Sequence, residues 1–210
     1  MMNKSVVVNI TADLDCTNKT IFPLGGVSNP FQGTLQGNGH SIKNMSIVST
    51  CLYVGLFGFG LGANVSDLVL VDFNVCFQGM TNETSHTGAL FGRCCGNCSL
   101  SNVFANTSLA TNRNKVNGHT YTGGLVGLLG NPITLNDSSV IFNCSVENTL
   151  VYGSNIVGGV AGENDGIMTN CHNLGTGDPS EVIVSAPASA GGRVSSLFTL
   201  FLDEFPHFFF

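Results

Sequence analysis

Apolar and polar positions alternate along this chain in short bursts rather than long runs. In "MSI" (Met45 to Ile47) and "LVL" (Leu68 to Leu70) the apolar side chains stand two apart, on one side of an extended strand. Strands this short bury little alone, so the pattern predicts stacking on similar strands elsewhere in the chain. Between the bursts one small phrase recurs: "YVGLFG" (Tyr53 to Gly58), "TGALFG" (Thr87 to Gly92), "TGGLVG" (Thr122 to Gly127) and "VGGVAG" (Val157 to Gly162). Its closing glycines, Gly58, Gly92, Gly127 and Gly162, lie 34, 35 and 35 residues apart. A fixed period of that length marks an array whose units bury their apolar faces against one another.

A second phrase, apolar residues around an Asn or Asp, lies between the glycine phrases: "IKNMSI", "VSDLVL", "LSNVFA", "IFNCSV" and "MTNCHN". It predicts one column of turn residues, Asn44, Asp67, Asn102, Asn143 and Asn170, in which Asn tolerates left-handed backbone and bonds amide to amide between coils. Asp67 is expected to break that ladder or mark an edge, because an ionised carboxylate cannot donate. The flanking glycines are expected to supply positive φ and close backbone approach. The pairs Leu56–Phe57, Leu90–Phe91, Leu125–Val126 and Val160–Ala161 are expected in the core, with the inward member of each unsettled. Inserts near residues 72–86 and 106–121 are expected to protrude.

Composition agrees with this picture. Only 10% of the 210 residues are charged, 43% are hydrophobic, and there are 27 Gly and no Trp. Long exposed helices need more Glu, Lys and Arg; many short strands with tight turns do not. Net charge is −6 and the seven Lys and Arg form no patch, which argues against nucleic acid. Asn-x-Ser/Thr occurs at Asn3, Asn9, Asn18, Asn44, Asn64, Asn82, Asn97, Asn106, Asn136 and Asn143. That excess, with Cys16, Cys51, Cys76, Cys94, Cys95, Cys98, Cys144 and Cys171, suits a secreted or cell-surface protein. The first residues are too weakly apolar for a signal peptide, so the start is expected to be internal to a longer protein. The tail "VSSLFTLFLDEFPHFFF" is interrupted by Asp203, Glu204 and Pro206 and predicts no membrane span.

At these residues the sequence resembles the GLUG-repeat family. "GALFG", "GGLVG" and "GGVAG" look like its glycine–leucine–glycine core. The stretch Ile10 to Ile47, with Asp13-Leu14-Asp15, Pro23-Leu24-Gly25, Phe31, Gly33, Gly37-Asn38-Gly39, Ile42 and Asn44, looks like the usual entry to such an array. Repeats of this type occur in adhesins and beside the N-terminal region of immunoglobulin A peptidases. The resemblance implies a right-handed parallel β-helix outside the cell, and it implies no catalytic residues.

The residues that carry chemistry give little in the sequence. "CCGNC" (Cys94, Cys95, Cys98) lacks the second ligand pair a zinc site needs, so a disulfide in a turn is favoured. Cys144 and Cys171 fall at equivalent places, where either a disulfide or two packed thiols fits. His40, His86, His119, His172 and His207 share no repeat position and read as loop or surface residues. Asp67 and Asp72 lie on opposite sides of a strand, and Glu163 and Asp165 lie in a solvated turn, so neither pair suits a glycosidase. Arg93, Arg113 and Lys115 read as loop cations without acidic neighbours. "GNGH" (Gly37 to His40) is a tight turn rather than a phosphate loop.

The sequence therefore predicts an all-β, right-handed parallel β-helix of about five coils over residues 9–174, after an extension at 1–8 and before an irregular tail at 175–210. The expected role is a non-catalytic extracellular or cell-surface module for adhesion, matrix structure or binding of a glycan or protein. It is expected to form part of a larger protein, with no catalytic, metal or cofactor residues. The competing reading is a polysaccharide lyase or glycoside hydrolase.

Overall fold

The computed structural model describes residues 6–80, 82–108, 114–131 and 137–174, and a strand at 184–185. All regular structure among them is strand. β1 (Val7–Asn9) and β2 (Leu14–Asp15) precede a first full circuit of β3 (Thr34–Gln36), β4 (Ser41–Lys43), β5 (Ser46–Ser49), β6 (Tyr53–Val54) and β7 (Phe57–Leu61). The second circuit has β8 (Asn64–Val71), β9 (Asn74–Phe77), β10 (His86–Thr87) and β11 (Phe91–Cys95). The third has β12 (Ser99–Asn106), β13 (Asn114–Asn117), β14 (Tyr121–Gly123) and β15 (Val126–Leu129). The fourth has β16 (Val140–Phe142), β17 (Ser145–Glu147), β18 (Thr149–Tyr152), β19 (Ile156–Gly158) and β20 (Ala161–Asn164), and β21 (Ile167–Thr169), β22 (His172–Leu174) and β23 (Val184–Ser185) begin another.

Each circuit lays its strands on those of the circuit before, always in parallel, as in Leu68↔Val103 and Phe57↔Phe91. Four stacked sheets of ten, four, four and five strands result, the arrangement of a β-helix-like fold. The core runs up the middle as columns of like side chains. Leu35, Val65, Leu100 and Ile141 form one, in register and buried. Phe57 stacks between Phe31 and Phe91, with ring centroids 4.2 and 5.0 Å away. Burying side chains of this size stabilises by roughly 2 kcal/mol each. Both members of the Leu56–Phe57, Leu90–Phe91, Leu125–Val126 and Val160–Ala161 pairs are buried.

The Asn/Asp phrase has a sharper role than a simple turn. Asp67, Asn102, Asn143 and Asn170 all have φ between 51° and 54°. One left-handed residue shifts the in–out alternation by a step, so Val65 and Leu68 both face the core, as do Leu100 and Val103. This kink bends one long strand around a corner. The side chains form a directed ladder. Asn170 donates to Asn143 (2.9 Å), Asn143 to Asn102 (2.7 Å) and Asn102 to Asp67 (2.7 Å).

Asp67 therefore does not break the ladder; as a pure acceptor it closes the ladder's N-terminal end, where the circuit before offers Gly37. Asn44 does not belong to this line. Its neighbours Ser41–Lys43 pair with Val69–Val71, which sets Asn44 beside Asp72 at a second left-handed corner. There its amide donates to Asp15 at 2.9 Å. The two corners carry the same local phrase because both need the same alternation shift.

Residues 72–86 and 106–121 are not simple inserts, because β9 and β13 within them are regular wall strands paired to each other. "GNGH" is a turn as expected, with Asn38 and Gly39 left-handed and His40 N donating to Gly37 O at 2.9 Å.

Candidate functional site

The glycine phrase joins the short sheet of β6, β10, β14 and β19 to the sheet of β7, β11, β15 and β20. A Cβ on Gly92 would lie 2.6 Å from Val54 N and 2.8 Å from Gly58 O, and one on Gly127 would lie 2.5 Å from both Gly92 O and Thr87 N. Gly162 meets Gly127 O at 2.6 Å in the same way. The expectation of positive φ at these glycines is overturned, for none of the closing glycines has it. Their requirement is space: two legs touch backbone to backbone, and any side chain would push them apart.

Because the legs come so close, their side chains on the face away from the core meet. Tyr53, His86 and Tyr121 are register partners on one leg, and their rings stack at 4.9 and 4.8 Å. Phe59, Arg93, Leu128 and Glu163 are partners on the other. Phe59 stands edge-on to Tyr53 at 5.4 Å, and the Arg93 guanidinium lies 5.8 Å from the Phe59 ring centre. Tyr121 has its phenol pushed upward, by burial first and then by Glu163, to which it hydrogen-bonds. Burial, with Arg93 nearby, lowers the pKa of His86 to about 4, so its ring is neutral near pH 7. Partial desolvation raises Asp165, whose residue as a whole is exposed, with Arg93 acting against the shift.

The structure thus gathers an arginine, a neutral imidazole, a phenol and two carboxylates at one corner. His86 is buried at a repeat position shared with two tyrosines, not a loop histidine. Arg93 and Lys115 lie in strands β11 and β13 rather than loops, and Arg93 has Asp165 for a neighbour. Arg113 and His207 fall outside the described residues. Glu163 lies in β20, while Asp165 is exposed in the turn after it. The signal for His86 was available: it lies 33 residues after Tyr53 and 35 before Tyr121.

A different surface covers the outside of the largest sheet. Thr34, Asn64 and Ser99 form one outward column, and Gln36, Ser66 and Ser101 the next. These positions are half-buried or exposed, uncharged and hydrogen-bonding. The columns continue into Val140 and Ile167, and into Phe142 and Thr169, where Phe142 and Ile167 are exposed.

Cys94 and Cys98 form a disulfide, and the turn between them is held by Asp137, which accepts from Gly96 N at 2.7 Å and Asn97 N at 3.2 Å. Among the described residues no three His, Cys, Asp or Glu are grouped to hold a metal, and no helix is long and apolar enough to cross a membrane.

No family model matches the chain, and no curated protein matches it. A solved structure does. The chain is similar to a crystal structure from Bacteroides ovatus described as "a putative immunoglobulin A1 protease", with a TM-score of 0.65 and 20% sequence identity. The match covers 91% of this chain and 61% of that one. The likeness is one of fold: stacked parallel sheets, all β.

Proposed function

We propose that this chain is a non-catalytic extracellular or cell-surface repeat module, a right-handed parallel β-helix of the GLUG type, that binds a glycan or protein along its largest sheet. In this reading residues 9–174 form the body of the array, with 1–8 an extension and 175–210 a tail, apart from Val7, Val8 and the strand Val184–Ser185 that pair onto it, all within a larger surface protein. The carrying observation is the outward face of Thr34, Gln36, Asn64, Ser66, Ser99 and Ser101, uncharged and set on a rigid sheet. Hydroxyls and amides fixed at strand spacing suit sugar hydroxyls or an extended peptide, and exposed Phe142 adds an apolar edge. Right-handed winding follows the strong preference of parallel crossovers. The fold likeness to a protein described as an immunoglobulin A1 protease supports a place outside the cell.

Screening the purified chain against a glycan array and against matrix proteins tests the reading. Binding that falls more than about tenfold in Ser66→Arg/Ser101→Arg is the expected result, a loss on the scale of an interface hot spot. Binding unchanged in that variant would move the site elsewhere.

A second reading has one observation in its favour: Arg93, Tyr121, Glu163 and Asp165 converge at the glycine corner, as a polysaccharide lyase or glycoside hydrolase would need. Turnover of a polysaccharide, or cleavage of immunoglobulin A1, that is lost in Arg93→Gln would overturn the non-catalytic assignment.

A further inference from the structure

Cys144 and Cys171 occupy the same place in successive circuits. Each immediately precedes a strand, β17 or β22, whose first residues Ser145 and His172 are register partners. His172 N donates to Cys144 O at 2.9 Å. Parallel neighbours stand about 4.8 Å apart, inside the Cα range a disulfide spans. Both side chains face the core, 1% and 3% exposed; Cys144 Sγ donates to Phe142 O and Cys171 Sγ to Thr169 O, each at 3.3 Å. In the two circuits before, the same column holds Leu68 and Val103, so ordinary core filling there uses larger apolar groups. Cys76 and Cys95 lack such a partner: Cys76 faces Val48 and Asn117, and Cys95 faces Leu61.

The pair also has a nucleophile. The neighbouring Cys144 holds the Cys171 thiol low, while Cys171 and burial push Cys144 up. The thiolate is the attacking form in disulfide exchange. Cys171 lies just before β22, which among the described residues pairs with β17 alone. Local opening of β22 gives a small reagent its way in.

We propose that Cys144 and Cys171 are an oxidation site that forms a covalent rung between the fourth and fifth circuits on meeting a small-molecule disulfide. The Cys171 thiolate attacks one sulfur of the reagent; its S–S bond breaks and one small thiolate leaves with the electron pair. Cys144 then releases its proton to water and attacks Cys171 Sγ, expelling the second small thiolate. Two protein thiols lose two electrons, and the reagent gains them as two thiols. Unlike Cys94–Cys98, which closes a turn within one circuit, this bond ties two successive circuits together.

The test treats the folded full chain with oxidised glutathione, blocks remaining thiols in denaturant and cleaves after glutamate. Cys144 then falls in the peptide 84–147 and Cys171 in 164–181. The expected product is these two peptides joined. In Cys144→Ser the link disappears and Cys171 retains glutathione. In Cys171→Ser, Cys144 stays unmodified. Both cysteines recovered as blocked thiols in the wild-type chain would overturn the proposal. So would a link that survives Cys144→Ser, or equal linkage when oxidation is done in concentrated urea.

Discussion

The side-chain amide of Asn102 lies 2.7 Å from the carboxylate of Asp67, and its own oxygen accepts the amide of Asn143 at 2.7 Å. Every amide in this line points the same way, and Asp67, which accepts without donating, closes it. Asp67→Asn keeps both the acceptor and the tolerance for left-handed backbone, so its unfolding free energy stays within about 1 kcal/mol of wild type. Asp67→Ala loses both and costs about 2 kcal/mol or more. Urea unfolding of the two variants checks the order; equal loss in both would refute it.

The glycines make a graded series. Gly127→Ala places a methyl 2.5 Å from two backbone atoms and is expected to cost about 3 kcal/mol or more. Gly39→Ala meets nothing within 4 Å but holds φ at +78°, so about 1 kcal/mol is expected. Gly26→Ala has open space and no positive φ and is expected to be near neutral. Melting temperatures in that order separate crowding from backbone strain.

Folding lowers the pKa of His86 from the ordinary 6.5 to about 4. Between those values the unfolded chain binds a proton that the folded chain refuses. The contribution is therefore complete above about pH 6.5 and is lost as pH falls toward about 4, by up to about 3 kcal/mol. His86→Phe keeps the ring stack and removes the titration. Denaturant midpoints at pH 7 and pH 4 should drop further for wild type than for the variant; parallel drops would sink the assignment.

In a secretory host, the acceptor Asn143 is expected to stay unmodified, because its side chain is half-buried and committed on both sides in the ladder. The exposed acceptors Asn18 and Asn82 are expected to carry any glycan. Glycopeptide mapping decides, and a glycan on Asn143 would contradict the ladder.

The repeat was legible because stacking writes itself into the chain: Gly58, Gly92, Gly127 and Gly162 recur at the pitch of one circuit. The two Asn corners were not separable, because Asn44 and Asn102 sit in the same local phrase for the same geometric reason. Asn114 gave no signal at all. It is wholly buried, its oxygen accepting from Phe73 N at 3.0 Å and its amide donating to Asn106 O at 2.8 Å. Phe73 lies 41 residues away, and nothing in "NRNKVNG" distinguishes this amide from its solvated neighbours. Arg93 was missed likewise, because its neighbour Asp165 is brought to it only when the circuits close.

Successive members of the ladder are 35, 41 and 27 residues apart in the chain, yet their side chains meet at nearly the same distance. The vertical rise is thus uncoupled from the contour length of each lap. A lineage carrying this architecture can lengthen or shorten a lap between fixed corners without disturbing the laps above and below. New recognition loops can then be added one storey at a time, while the shaft that supports them stays the same.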